Sequence, residues 1–243
     1  MNFSSAEQYL LGTINETISR REPYRLERMR AFMRELGNPQ DAYPTVHVGG
    51  TSGKGSTSIM ASAALHARGL RVGLHTKPHL RSMTERARID GVEIAEDRFA
   101  EILTAMMPAI DRTAAEHGRP SYYETLLALA FQYFFDERVD VAVIEVGLGG
   151  RLDGTNIIHP QVAIITSVGF DHMDVLGASI SSIAAEKAGI IKAGVPLVSG
   201  VEREEARAII ESEAARVGAP VIRVSESAKI QLLDATSSAP RYG

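Results

Sequence analysis

Apolar residues recur along this chain with two alternating periods. Leu26, Met29, Phe32, Met33 and Leu36 fall at helical spacing, and Gly37 and Pro39 stop the pattern. Tyr9, Leu10, Thr13, Ile14 and Ile18 form an earlier stripe, which Ser4 and Glu7 open as a capping box. Helical periodicity returns over 56–68, 96–116, 122–137, 179–188 and 202–216, with Gly69, the 118–120 break and Gly218 marking ends. Short β-branched runs lie between. Residues 44–48, 71–75, 161–167, 196–199 and 221–224 read as strands, and 139–146 is apolar enough to be a central one. Residues 88–94 read as a hairpin turned by Asp90-Gly91. Segment 76–86 reads as an irregular, charged loop, and the stretch from 225 onward shows no closing element. Strands alternating with helices predict βαβ units, a parallel sheet and an α/β fold.

Composition narrows the class without changing the fold. The 243 residues carry 26 Lys and Arg against 30 Asp and Glu, a formal charge of −4, which argues against a general nucleic-acid binder. Hydrophobic residues at 44% and charged residues at 23% exclude a wholly disordered chain. Zero cysteines exclude disulfides and thiolate metal sites. Glu7 and Glu16 interrupt the N-terminal segment, so it does not read as a secretory signal. No run of about 18 apolar residues occurs, so no membrane span is expected. The expectation is a soluble, cytoplasmic protein.

Candidate chemistry gathers where strands end. Gly49-Gly-Thr-Ser-Gly-Lys-Gly-Ser-Thr57 lies between an apolar strand and a helix, the setting a phosphate-binding loop needs. Its glycines let N–H groups turn inward, the helix start favours anions, and Lys54 adds a point charge. The strict pattern is broken twice, by Val48 at the first glycine and by Gly55, which moves the hydroxyl to Ser56. Glu145 closes the most apolar strand, where an unpaired carboxylate is costly unless it meets a cation or hydrogen bonds. Gly147, Gly149 and Gly150 after it would let backbone approach a ligand. Asp171-His172 follows the next strand, so three segments bring polar groups to the sheet end where ligands bind in open parallel sheets. His75 and His79 are separated by Pro78, which argues against a metal pair on one helix face. From spacing alone Lys187 reads as a solvated helix lysine, and Tyr122, Tyr123, Phe131, Phe134 and Phe135 as helix-packing groups.

Taken together, GGTSGKGST, TKPHLRSMTERARIDG, SYYE, IEVGLGGRLDGTN, TSVGFDHMDVLG and EKAGIIKAGVP resemble the folylpolyglutamate synthase/dihydrofolate synthase family, a branch of the Mur ligases, over roughly residues 45–200. The resemblance implies a P-loop α/β domain whose mostly parallel sheet is flanked by helices. It implies an ATP- and Mg²⁺-dependent ligase joining L-glutamate to dihydropteroate or a folate through an acyl phosphate. A Mur-type amide ligase with another acyl acceptor and a non-catalytic nucleotide-binding module of the same fold are the alternatives. By that match Gly53, Lys54, Gly55 and Ser56 form the ATP loop, and Ser56, Glu145 and His172 hold magnesium. Lys54, Glu145, His172 and Lys187 are the catalytic set, with Lys187 matching a lysine that the family carboxylates. Ser121, Tyr122, Tyr123, Glu124, Leu152, Asp153 and Gly154 match the pteridine side.

Lys77 departs from the pattern, standing where the family has a magnesium-binding serine; an ammonium has no lone pair to donate. Either it reaches the phosphates, or it projects into solvent beside Arg81, Arg86 and Arg88. The family's C-terminal domain has no candidate before Gly243, so residues 1–243 are expected to be the ATP-binding domain, incomplete as a ligase. The implied partners are dihydropteroate or folate and L-glutamate, with no nucleic acid or membrane, and the implied state is a monomer.

Overall fold

A computed structural model of the protein describes residues 1–14, 26–228, 232–234 and 241–242. Ile18 of the first apolar stripe lies outside the described residues. Eight strands form one sheet: β1 (Thr45–Gly49), β2 (Val72–His75), β3 (Arg88–Ile89), β4 (Val92–Glu93), β5 (Val141–Glu145), β6 (Val162–Ile165), β7 (Leu197–Ser199) and β8 (Val221–Arg223). Their order is β4-β3-β2-β5-β1-β6-β7-β8, parallel except for the β3–β4 hairpin at one edge. Asp90 and Gly91 turn that hairpin with φ of 53° and 83°. Leu232–Asp234 and Arg241–Tyr242 (β9 and β10) pair antiparallel apart from the main sheet.

β5 shows why the sheet is covered on both faces. Ala142 and Ile144 join one apolar cluster, whereas Val141 and Val143, pointing the opposite way, join another. The first cluster is built by α1 (Phe3–Leu11), α2 (Leu26–Glu35), α4 (Glu96–His117) and α5 (Tyr122–Asp136). The second packs under α3 (Lys54–His66) through Ala61 and Leu65. A third joins β6 and β7 to α7 (Ile180–Ala188) and α8 (Glu204–Val217), with Leu176 of the short α6 (Met173–Leu176). Among the described residues no helix is long and apolar enough to cross a membrane.

Local capping differs from expectation at three places. Asn2, not Ser4, caps α1: its side chain accepts the Ser5 N–H at 2.9 Å, so Ser4 already lies inside the helix. Helix α3 starts at Lys54 rather than Ser56, because Gly53 turns the chain at φ 82°. Segment 76–86 is not wholly irregular. Ser82 and Glu85 form a capping box there, and Met83–Arg86 make a buried 3₁₀ turn. On α5, Phe131 and Phe134 are buried as expected, whereas the next position turns Phe135 outward.

Two histidines are sealed in the sheet. Thr155 gives its only O–H to Asp153, so the His47 Nε2–H donates to Thr155 Oγ1 at 2.8 Å and leaves the buried Nδ1 unpartnered. His75 Nδ1 donates to the Arg86 carbonyl at 2.8 Å and leaves its buried Nε2 unpartnered. His79 Nδ1 instead accepts from Arg86 Nε at 3.0 Å, so the two histidines are not a metal pair. Burial first, then Lys192, brings His47 down to about 3. Burial first, then Arg86, brings His75 down to about 4.

Below the ordinary value of 6.5 the unfolded chain takes up protons at both sites while the folded chain does not. Stability is therefore full above that value and falls with pH until each folded value is reached. Urea unfolding should show a loss of about 2 kcal/mol between about pH 6 and about pH 5 from this pair, at ~1.4 kcal/mol per unit and proton. His75→Phe should remove roughly half of that drop; an unchanged drop would clear His75 of the effect.

Candidate active site

β1 leaves the sheet between β5 and β6, so its exit loop is flanked by both of their ends. Gly50 turns the loop at φ 140°, and a Cβ there would stand 1.9 Å from Thr166 Oγ1, which leaves no room for a side chain. The loop is then laced to the β6 exit. Thr51 N donates to the Ser167 carbonyl at 2.9 Å, Ser52 N to Ser167 Oγ at 3.0 Å, and Thr166 Oγ1 to the Ser52 carbonyl at 2.7 Å.

Two ammonium groups converge on the loop. Lys54 Nζ donates to the Gly50 and Thr51 carbonyls, both at 3.0 Å. Lys187 Nζ, arriving from α7, donates to the same Gly50 carbonyl at 2.9 Å. Lys187 is only 3% exposed, so it is not the solvated helix lysine that its spacing suggests; α7 turns it inward against β1. Burial first, then Lys54, lowers it to about 8, against the opposing pull of Asp171.

Glu145 is 2% exposed at the end of β5, and its Oε2 accepts the Lys77 N–H at 3.1 Å. The first turn of α3 lies against it, since a Cβ on Gly55 would stand 3.5 Å from the same oxygen. Burial raises the Glu145 carboxyl and outweighs the Lys77 hydrogen bond and the fields of Lys54, Lys77 and Arg86. Lys77 does not project into solvent. It is half-buried and lines a small cleft with Gly50, Lys54, Gly147, His172 and Lys187. His172 sits at φ 46° before α6, exposed at the rim, with Nε2 3.6 Å from Asp171 Oδ1.

The glycine run after Glu145 is required by the protein's own packing, and Gly147 and Gly149 also line the cleft. A Cβ on Gly147 would meet Tyr123 Oη at 2.5 Å, and one on Gly150 would meet the Glu186 carbonyl at 2.7 Å. Asp153 fixes this loop. It accepts hydrogen bonds from Tyr123 Oη at 3.0 Å, Leu148 N at 2.7 Å, and Thr155 N and Oγ1 at 2.9 and 2.6 Å. His47, missed in the sequence because a lone histidine in an apolar strand carries no local signal, supports Thr155 from beneath.

The remaining residues matched to the pteridine side divide by task. Ser121 and Glu124 form the capping box of α5, and Glu124 also pairs with Arg28 at 2.8 Å, tying α5 to α2. Tyr122 lies under the Arg86 guanidinium, 6.0 Å from ring centre. Leu152 is exposed, and Gly154 packs toward Leu127 and Tyr123. The polar atoms of Ser121, Tyr123, Glu124 and Asp153 are engaged within the protein, with one another or with Arg28, Leu148 and Thr155.

Among the described residues no group of three or more His, Asp or Glu could enclose a metal ion. The Glu145 carboxylate and the exposed Ser56 hydroxyl are nevertheless the hard oxygen donors Mg²⁺ takes, and that ion commonly completes its shell with water and phosphate oxygens. The donor set fits one such ion alongside a bound polyphosphate; Lys77 cannot join it while protonated.

Residues 48–239 match the Mur ligase middle domain. A dihydrofolate synthase/folylpolyglutamate synthase of Bacillus subtilis (strain 168) is 42% identical over 199 residues, spanning 80% of this chain and 46% of that protein. A Mycobacterium tuberculosis folylpolyglutamate synthase, solved in complexes with ADP and AMPPCP, matches with a TM-score of 0.81 and 38% identity over 86% of this chain and 50% of that one. An FPGS–AMPPCP–folate complex matches with a TM-score of 0.88 and 33% identity over 100% of this chain and 58% of that one. The chain thus spans about half the length of the relatives it matches. With its mostly parallel sheet and matched sequence, the chain belongs to the Mur ligase family, and residues 48–239 match its middle domain.

Proposed function

We propose that residues 1–243 form the ATP-binding domain of a ligase that joins L-glutamate to dihydropteroate or a folate. The observation carrying this reading is the convergence of Lys54 and Lys187 on the Gly50 carbonyl, beside the buried Glu145. Relatives named for that activity, one of them complexed with AMPPCP and folate, support it. When bound, ATP supplies the phosphoryl group that turns the acceptor carboxylate into an acyl phosphate, and Mg²⁺ supplies positive charge beside it.

The chain's own part is positioning and neutralisation. Backbone N–H groups of Gly53, Lys54, Gly55 and Ser56, at the start of α3, hold phosphate oxygens. Lys54, which rests on the loop carbonyls here, would neutralise the phosphates, and Ser56, Glu145 and His172 would hold the metal, which supplies positive charge. Lys187, with its amine brought down to about 8, is partly unprotonated near neutral pH and able to add to CO₂. That addition forms the N–C bond as one C=O π bond of CO₂ gives its electron pair to oxygen, and the nitrogen releases one proton; counted from the ammonium form, two protons leave and a cation becomes an anion. Tyr122 and Leu152 offer apolar surface to a pteridine, and Ser121, Tyr123, Glu124, Asp153 and Gly154 shape that side. A cytoplasmic address and a monomeric state belong to the same proposal, and sedimentation tests the latter.

ADP release that requires both glutamate and a pteroate or folate tests the reading, on this chain and on the protein as its gene encodes it. The 243-residue chain is expected to turn over more slowly than about 1 per second. Lys54→Ala should weaken nucleotide binding ~10- to 100-fold with the fold intact; unchanged affinity would remove the phosphate-loop assignment. Glu145→Gln keeps the shape of the side chain but loses its charge, and should raise the Mg²⁺ needed at half-maximal response by ~10-fold or more. An identical magnesium titration would argue that Glu145 holds no metal. With ¹³C-bicarbonate, the chain should show a carbamate carbon resonance that Lys187→Met lacks. A spectrum shared by both proteins would exclude Lys187 as the carboxylated amine.

A further inference from the structure

Lys77 follows β2 directly, on the strand beside β5, and its own N–H is pinned to Glu145 Oε2 at 3.1 Å. The backbone is therefore anchored at the carboxylate while the side chain runs into the cleft with Lys54 and Lys187. Three lysines reach this cleft from three elements: the start of α3, the exit of β2 and the body of α7. Two of them rest on the Gly50 carbonyl. The third does not. Among the described residues the Lys77 ammonium makes no hydrogen bond, and it shares its cleft with Lys54 and Lys187. Asp153 and Glu145 act on it only from a distance, with Asp153 already accepting four hydrogen bonds. A half-desolvated ammonium with three free donors, beside a loop shaped for phosphate, has an evident complement: an anionic oxygen.

We propose that Lys77 is a phosphate-contacting cation built into the cleft, which lets this chain hold a nucleoside triphosphate without a divalent ion. The inference rests on the cleft being the nucleotide site and adds to it a residue that takes a share of the neutralisation. A metal ion and an ammonium differ in one measurable respect. A chelator removes the first and leaves the second.

Calorimetric titration of the 243-residue chain with AMPPCP, in Mg²⁺ and in EDTA, tests this. The wild-type chain should bind in EDTA within ~10-fold of its Mg²⁺ affinity. Lys77→Met should lose ~10- to 100-fold in EDTA and markedly less in Mg²⁺, whereas Lys77→Arg, which keeps the charge, should retain most of the EDTA affinity. Lys77→Gln serves if Lys77→Met unfolds on heating earlier than the wild type. Lys54→Ala reports separately on the site and should weaken binding in both conditions. Binding lost in Lys54→Ala but equal in wild type and Lys77→Met under EDTA would overturn the role of Lys77 and leave the site standing. Wild-type binding that requires Mg²⁺ would overturn it too. No binding by the wild type in either condition would overturn the nucleotide site and this inference together.

Discussion

β1 is hydrogen-bonded on both sides, to β5 and to β6, and apolar clusters cover both faces of the sheet around it. A strand so placed must satisfy its backbone entirely within the ladder and carry side chains that need no water. Charge is thereby excluded from its length and confined to its C-terminal end. The same holds for β5, whose apolar run stops at Glu145. Because Val48 and Glu145 stand in register, the exit of β1 and the carboxylate of β5 emerge side by side, and the Gly50 loop has a charged neighbour from the first residue out. Lys54, Lys77 and Lys187 come from separate segments, yet each meets that one place.

Asp153 performs the corresponding task for the loop after β5. Its four hydrogen bonds join Leu148, Tyr123 and Thr155, and through Thr155 the chain of contacts reaches His47 inside β1. Each buried donor left without its acceptor would cost ~1–3 kcal/mol, so this carboxylate is worth more as a fixed post than any one of its bonds. The cleft wall at Gly147 and Leu148 is consequently set by α5 and the sheet rather than by the loop's own preferences. Ser121 and Glu124 extend the same logic by fixing where α5 begins.

The elements were legible in the sequence wherever burial is periodic. Val139 to Val146 reads as a central strand because both faces are apolar, and its middle, Val141–Glu145, is one. Glu145 stood out for the same reason, as a carboxylate where none is affordable without a partner. Local capping was less legible: Asn2 and Ser4 are both competent cap residues, and the chain uses Asn2. Lys187 was misread by spacing because its partner, the Gly50 carbonyl, lies 137 residues away, and a helix pattern shows which residues are apolar but not what a neighbouring loop offers. Its matched role came from resemblance to a family, not from its surroundings in the chain. His47 gave no signal at all, since its function as a support exists only once Thr155 is folded over it.

The charges in the cleft are mutually dependent. Burial drives Glu145 toward its neutral acid, and Lys54, Lys77 and Arg86 hold it back. Burial likewise drives Lys77 toward its neutral amine, with Asp153 and Glu145 opposing. Lys187 is pressed the same way by burial and Lys54, and Asp171 resists. Burial is the largest influence on each of these groups, and the charges of its neighbours add to it or oppose it. Such a cluster responds to an arriving charge as a unit, because an anion among the lysines favours every ammonium at once and a cation at Glu145 favours the carboxylate. A site of this kind is well matched to a ligand that brings many negative charges and a metal together, since each of the two then stabilises the groups that the other leaves exposed.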